Sequence, residues 1–129
     1  IALLFLTAEP LGGPALSLRH ADNSARLANA TQPEYLATLV VSFPLGETRF
    51  RDAFPGWRPL TLHELFVEME RFLDRLELER TVFRSDHASN WLVLKGTLGA
   101  EKQRLLQQVR QAVANPAAAP LRPAWARGL

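Results

Sequence analysis

Residues 83–98, FRSDHASNWLVLKGTL, gather Arg84, Ser85, Asp86, His87, Ser89 and Asn90 between two apolar runs. So much hydrogen-bonding capacity either builds an internal network or faces something that binds, because unpaired buried polar groups cost free energy. Serine, histidine and aspartate can serve as nucleophile, base and orienter. Packed into one loop, however, they do not line up in that way, and no nucleophile elbow is present. One histidine with one aspartate is also too small a ligand set for a metal without donors from elsewhere. Two readings stay open on these residues alone: a loop that recognises a ligand, and a loop that satisfies itself through Asx and Ser turns.

A second candidate is Gly12-Gly13, which follows an apolar run and could bring backbone N–H groups against a carboxylate or phosphate. Adjacent glycines are equally expected in a tight strand-to-helix turn. His20 and His63 fall on separate helical patterns and have no partner at metal spacing. Glu47, Arg49, Arg51 and Asp52 lie in a predicted loop, where charges usually pair with water.

At 129 residues, 47% apolar and 22% charged, the chain has the length and composition of one globular domain rather than a disordered or membrane protein. Its longest wholly apolar run, residues 1–6, is far short of the roughly 18 residues that cross a bilayer. No basic segment precedes it as in a signal peptide, so the expected location is cytoplasmic. The chain contains no cysteine, which excludes disulfides, thiolate nucleophiles and cysteine-ligated clusters built from its own residues. A net charge of +2 gives no ground for nucleic-acid binding. The segment after Gly99 is nonetheless basic, with Lys102, Arg104, Arg110, Arg122 and Arg127 against Glu101 alone. The apolar start at Ile1, without a methionine, is expected of a strand inside a longer polypeptide.

The elements that would position these groups alternate. Strands are predicted at about 1–8, 35–43 and 80–85. A helix from about 15 to 30 places Leu18, Ala21, Ala25 and Ala28 near one face, and the NATQP that follows supplies a stop. The clearest helix begins with a capping box, Thr61 and Glu64, and carries Leu62, Leu65, Phe66, Met69, Phe72, Leu73 and Leu76 at three- and four-residue steps. Residues 95–99, KGTLG, are read as a turn. A last helix over about 100–114 buries Leu105, Leu106, Val109, Ala112 and Val113, and residues 116–129 read as a Pro/Ala-rich tail or linker. Strand and helix in alternation predict an α/β fold with a parallel sheet, whose ligands gather at the carboxyl ends of the strands. Gly12-Gly13 and residues 84–90 both fall there.

The phrase VFRSDHASNWLVLKGTL, followed by a lysine- and leucine-bearing helix, resembles the C-terminal part of radical S-adenosylmethionine (SAM) proteins, where an FRSNHASNYLPLKGTL-like segment recurs. The glycine pair with RHADNSARLANATQPEYLATLVV is similar to the family's glycine pair, His-Ala helix and next barrel strand. PLGETRF stands where a PGTPLY-like turn is expected, and LTLHELFVEMERFLDRLEL resembles the helix before the final strand. The likeness runs over about residues 1–113. It implies that residues 1–115 are late βα units of a partial (β/α) TIM-like barrel. In such proteins a CxxxCxxC motif holds a 4Fe-4S cluster that cleaves SAM to a 5′-deoxyadenosyl radical. Those ligands would have to lie in an upstream part of the same polypeptide. The resemblance further implies that Gly12 and Gly13 approach SAM, and that Arg84, Ser85, His87, Ser89 and Asn90 border the substrate cavity.

Some positions depart from the pattern. Asp86 stands for an asparagine, exchanging an amide for an acceptor-only carboxylate that Arg84 or Lys95 could neutralise. Trp91 replaces a tyrosine, Val93 a proline, and Arg49 lies near an expected proline. These changes bear on substrate identity more than on fold. Two other functional readings remain beside this one: a self-contained, non-catalytic α/β module whose HASN loop binds a ligand or partner, and an RNA contact through the basic last segment.

Overall fold

Four strands enter one sheet in the order in which the chain meets them. In the computed structural model, which describes residues 2–7, 13–40, 61–86, 91–117 and 120–122, these are β1 (Ala2–Thr7), β2 (Tyr35–Val40), β3 (Val82–Ser85) and β4 (Leu94–Thr97). β1 and β2 are parallel, with Ala2 opposite Tyr35. β2 and β3 are parallel, with Ala37 opposite Arg84. β3 and β4 are antiparallel, with Arg84 opposite Lys95. The helices among the described residues are α1 (Gly13–Thr31), α2 (Leu62–Arg75) and α3 (Lys102–Ala114). The fold is therefore α/β, as the alternation of elements predicts.

The sheet is mixed rather than wholly parallel, because the stretch read as a turn at 95–99 is largely strand. Leu92, Leu94 and Leu98 are buried while Val93, Lys95 and Thr97 are exposed, a period-two pattern in which Gly96 takes the remaining inward position opposite Phe83. Reading Gly96 as a breaker hid that pattern. The glycine is needed for space: a Cβ there would lie 2.7 Å from Arg104 Nη2 and 2.9 Å from Glu101 Oε2. Both groups serve the outer edge of β4. Glu101 Oε2 accepts from the Thr97 N–H at 2.6 Å, and Arg104 Nη2 donates to the Lys95 carbonyl at 2.7 Å. Side chains of the following helix thus cover backbone groups that would otherwise recruit another strand.

α1 lies close to its neighbours because its buried face is made of Ala21, Ala25 and Ala28. α2 begins as its capping box predicts: Thr61 Oγ1 accepts from Glu64 N at 3.1 Å and Glu64 Oε1 accepts from Thr61 N at 2.9 Å. Its stripe of Leu65, Phe66, Met69, Phe72 and Leu73 is buried, with Leu62 packed at the margin. Leu36, Phe83, Leu94, Leu105, Leu106 and Val109 complete the same core, each full burial contributing roughly 1.5–3 kcal/mol. Across the helices, Arg71 donates to both carboxylate oxygens of Asp22, at 2.7 and 2.9 Å, and Lys102 Nζ donates to the Asp74 and Leu76 carbonyls that α2 leaves free at its end.

The three described helices share that one core, so among the described residues they form a single layer on one face of the sheet. Sequential strand order suits this for α1 and α2, since right-handed crossovers that keep one direction along a sheet return their helices to the same side; α3, which follows β4, joins them through the shared core. At the amino ends of β2 and β3, Asn29 and Gln32 do more than stop α1. Asn29 donates to Arg75 O and accepts from Glu77 N, while Gln32, held at φ 45°, donates to Glu77 O. The expected tail is partly docked, since Leu121 packs on the core and Arg122 N donates to Trp91 O at 2.6 Å.

Candidate functional site

The alternation of β3 separates the residues that the sequence groups together. Phe83 and Ser85 point into the helix layer, whereas Arg84 points to the opposite face of the sheet. Ser85 is only 1% exposed, and its Oγ accepts from Thr38 Oγ1 on β2 at 2.6 Å. It therefore ties β2 to β3 and does not open toward a ligand. Arg84 is largely exposed and lies 3.6 Å from the Asp86 carboxylate, the neutralising contact that the Asp-for-Asn exchange calls for. Lys95, opposite Arg84 on β4, carries a second cation to the same face.

Tyr35, Val82 and Thr97 form the adjoining row of this face, and Tyr35 is 56% exposed. No described helix covers them. Gly13 is the first residue of α1, the helix that follows β1 in the chain. Gly12, His87, Ser89 and Asn90 lie outside the described residues. Trp91, which follows the HASN residues in sequence, is half-buried against the core and anchored through its carbonyl by the backbone N–H of Arg122.

One buried acid escaped the sequence reading. Glu68 is 0% exposed within the α2 stripe, and its carboxylate accepts from the buried hydroxyl of Ser17 on α1. The signal was an acid at a stripe position, three residues after Leu65 and four before Phe72; its partner, 51 residues away, left no local trace. His20 is half-buried on α1 and His63 is exposed on α2. Among the described residues no three His, Cys, Asp or Glu side chains converge as a metal site. No buried side-chain nitrogen or oxygen among them lacks a hydrogen-bond partner.

The carboxyls of Asp22 and Glu101, among the described residues, are perturbed. The hydrogen bond from Arg71 holds the Asp22 carboxyl below the usual range against the opposing effect of desolvation, with further attraction from Arg71, Arg75 and Arg26. The Glu101 carboxyl is lowered first by the Thr97 N–H and then by Arg104. Both serve structure, one joining helices and the other closing a strand edge. No helix among the described residues is long and apolar enough to cross a membrane.

What the arrangement offers chemically is a polar, cationic sheet face that begins at the carboxyl ends of parallel strands. It does not contain an assembled nucleophile, base and orienter among the described residues. Comparison of the chain with protein-family models, with curated proteins and with solved structures finds no match.

Proposed function

We propose that this chain is the C-terminal segment of a radical SAM enzyme, forming late βα units of a partial (β/α) barrel and shaping the cavity that holds SAM and substrate. The observation that carries the reading is the sequential parallel order β1-β2-β3 with one helix layer. This order, with the described helices on one side, is what a barrel wall would require, and it differs from a doubly wound sheet with helices on both faces; the antiparallel β4 is an addition to it. The HASN resemblance adds the chemistry.

The chain has no cysteine, so it fits the cluster only as a wall and not as a ligand set; the reading places the CxxxCxxC ligands elsewhere in the polypeptide. The cluster and SAM supply the radical chemistry. This chain's residues bind and orient: Gly12 and Gly13 are assigned to close backbone approach to SAM by resemblance, Arg84 is assigned to the ligand side, and Ser85 holds β3 on β2. His87, Ser89 and Asn90 are assigned to the substrate border by resemblance.

A second reading has its own support. The single core and the covered β4 edge suit a self-contained, non-catalytic α/β module that binds a ligand or partner. Iron and sulfide analysis of the anaerobically reconstituted full-length polypeptide separates the two. Four irons held by a CxxxCxxC motif support the enzyme, whereas a full-length sequence without that motif and a protein without iron support the module.

A further inference from the structure

Arg84 and Lys95 stand directly opposite each other across β3 and β4. Leu98 N donates to Thr81 O at 2.8 Å, which makes that pair hydrogen-bonded; alternation along an antiparallel ladder then makes Arg84 and Lys95 a non-hydrogen-bonded pair. Such pairs are the closer kind, with Cα atoms about 4.5 Å apart, and like charges placed there repel. The outward-turned Lys95 carbonyl, held by Arg104, agrees with this assignment.

Charge balance at the pair is incomplete. Asp86 meets Arg84 at 3.6 Å, too long for a good hydrogen bond, and the Lys95 ammonium has no ion-pair partner among the described residues. Two cations therefore share one distant carboxylate. On the other side of Arg84 the residue in register is Ala37, whose methyl group brings no charge to the pair. A repelling pair of exposed cations, on a sheet face that no described helix covers, is relieved by an anion.

We propose that Arg84 and Lys95 bind an anionic group, a carboxylate or a phosphate, of a small-molecule ligand lying on the sheet face opposite the described helices. The guanidinium takes two oxygens of the anion side by side, and the ammonium adds a compact point charge to it. Asp86 holds Arg84 over the face when the anion is absent. The inference rests on the proposed function only in taking this face as the ligand side; it needs neither cluster nor SAM.

The test is calorimetric titration of the full-length protein, without iron or SAM, with pyrophosphate in one arm and citrate in the other. Saturable binding is expected in at least one arm, and the arm that saturates names the anion class. Lys95→Gln and Arg84→Gln should each weaken it by about tenfold or more, Lys95→Arg should retain it, and Arg80→Gln, an exposed cation at the far end of β3, should leave it within about twofold. No saturation in either arm, unchanged binding in Lys95→Gln, or equal weakening in Arg80→Gln would overturn the proposal. Because iron is absent throughout, such a failure leaves the cluster assignment standing, and an iron-free parent that still shows this pattern removes the enzyme reading alone.

Discussion

Thr38 Oγ1 donates to Ser85 Oγ at 2.6 Å across two parallel strands, joining β2 to β3 beneath the face that Arg84 occupies. Both hydroxyls are almost fully buried. Ser85→Ala or Thr38→Val alone should cost about 1–3 kcal/mol, since each leaves a buried partner without this bond. Removing both should cost less than the sum. A double-mutant cycle by urea unfolding checks this; additivity to within about 0.5 kcal/mol would show that the hydroxyls do not act together.

The capping box of α2 makes a separate prediction. Thr61→Ala removes the acceptor for Glu64 N and should lower stability by about 0.5–2 kcal/mol, read as a fall in thermal midpoint. An unchanged midpoint contradicts the assignment.

Glycines 96 and 99 should differ in a defined order. Gly99 has φ 105°, and a Cβ there would lie 2.2 Å from the Glu79 carbonyl oxygen, a backbone atom that cannot swing aside. Gly99→Ala is expected to cost at least about 1–3 kcal/mol. At Gly96 the obstructing atoms are the ends of Arg104 and Glu101, which can move at the expense of the strand edge that they cover. Gly96→Ala should therefore destabilise less. The reverse order in denaturant midpoints would refute the geometry at both sites.

Acid sensitivity follows from Asp22. Its folded-state pKa lies below the unfolded value because Arg71 donates to the charged form. The resulting stability is complete above about pH 4, where the unfolded carboxylate is ionised, and is lost as pH falls through the folded-state value. Asp22→Asn should lower stability near neutrality and make the decline below about pH 4 shallower. Urea midpoints measured across this range decide the matter, and wild-type and variant curves that run parallel would exclude Asp22 as a contributor.

Local signals in the sequence account for much of the fold. The α2 cap and stripe were legible because capping residues and apolar side chains at helical spacing are chain neighbours. Strand β4 was misread because Gly96 interrupts an otherwise visible alternation of Leu92, Leu94 and Leu98. In the candidate site, Phe83 already implied the side that Ser85 takes, since residues two apart on a strand share a face; grouping Arg84 and Ser85 by polarity ignored that rule. The Ser17–Glu68 contact and the clamp from Asn29 to Glu77 were not legible, because each joins positions far apart in the chain. Pairing of Arg84 with Lys95 likewise required the β3–β4 register.

The central claim is tested most directly by incubating the anaerobically reconstituted full-length protein with SAM and a strong reductant, and measuring 5′-deoxyadenosine by chromatography. The proposed function predicts that 5′-deoxyadenosine accumulates only when iron, SAM and reductant are all present. A fully iron-loaded, reduced protein that leaves SAM uncleaved would contradict it.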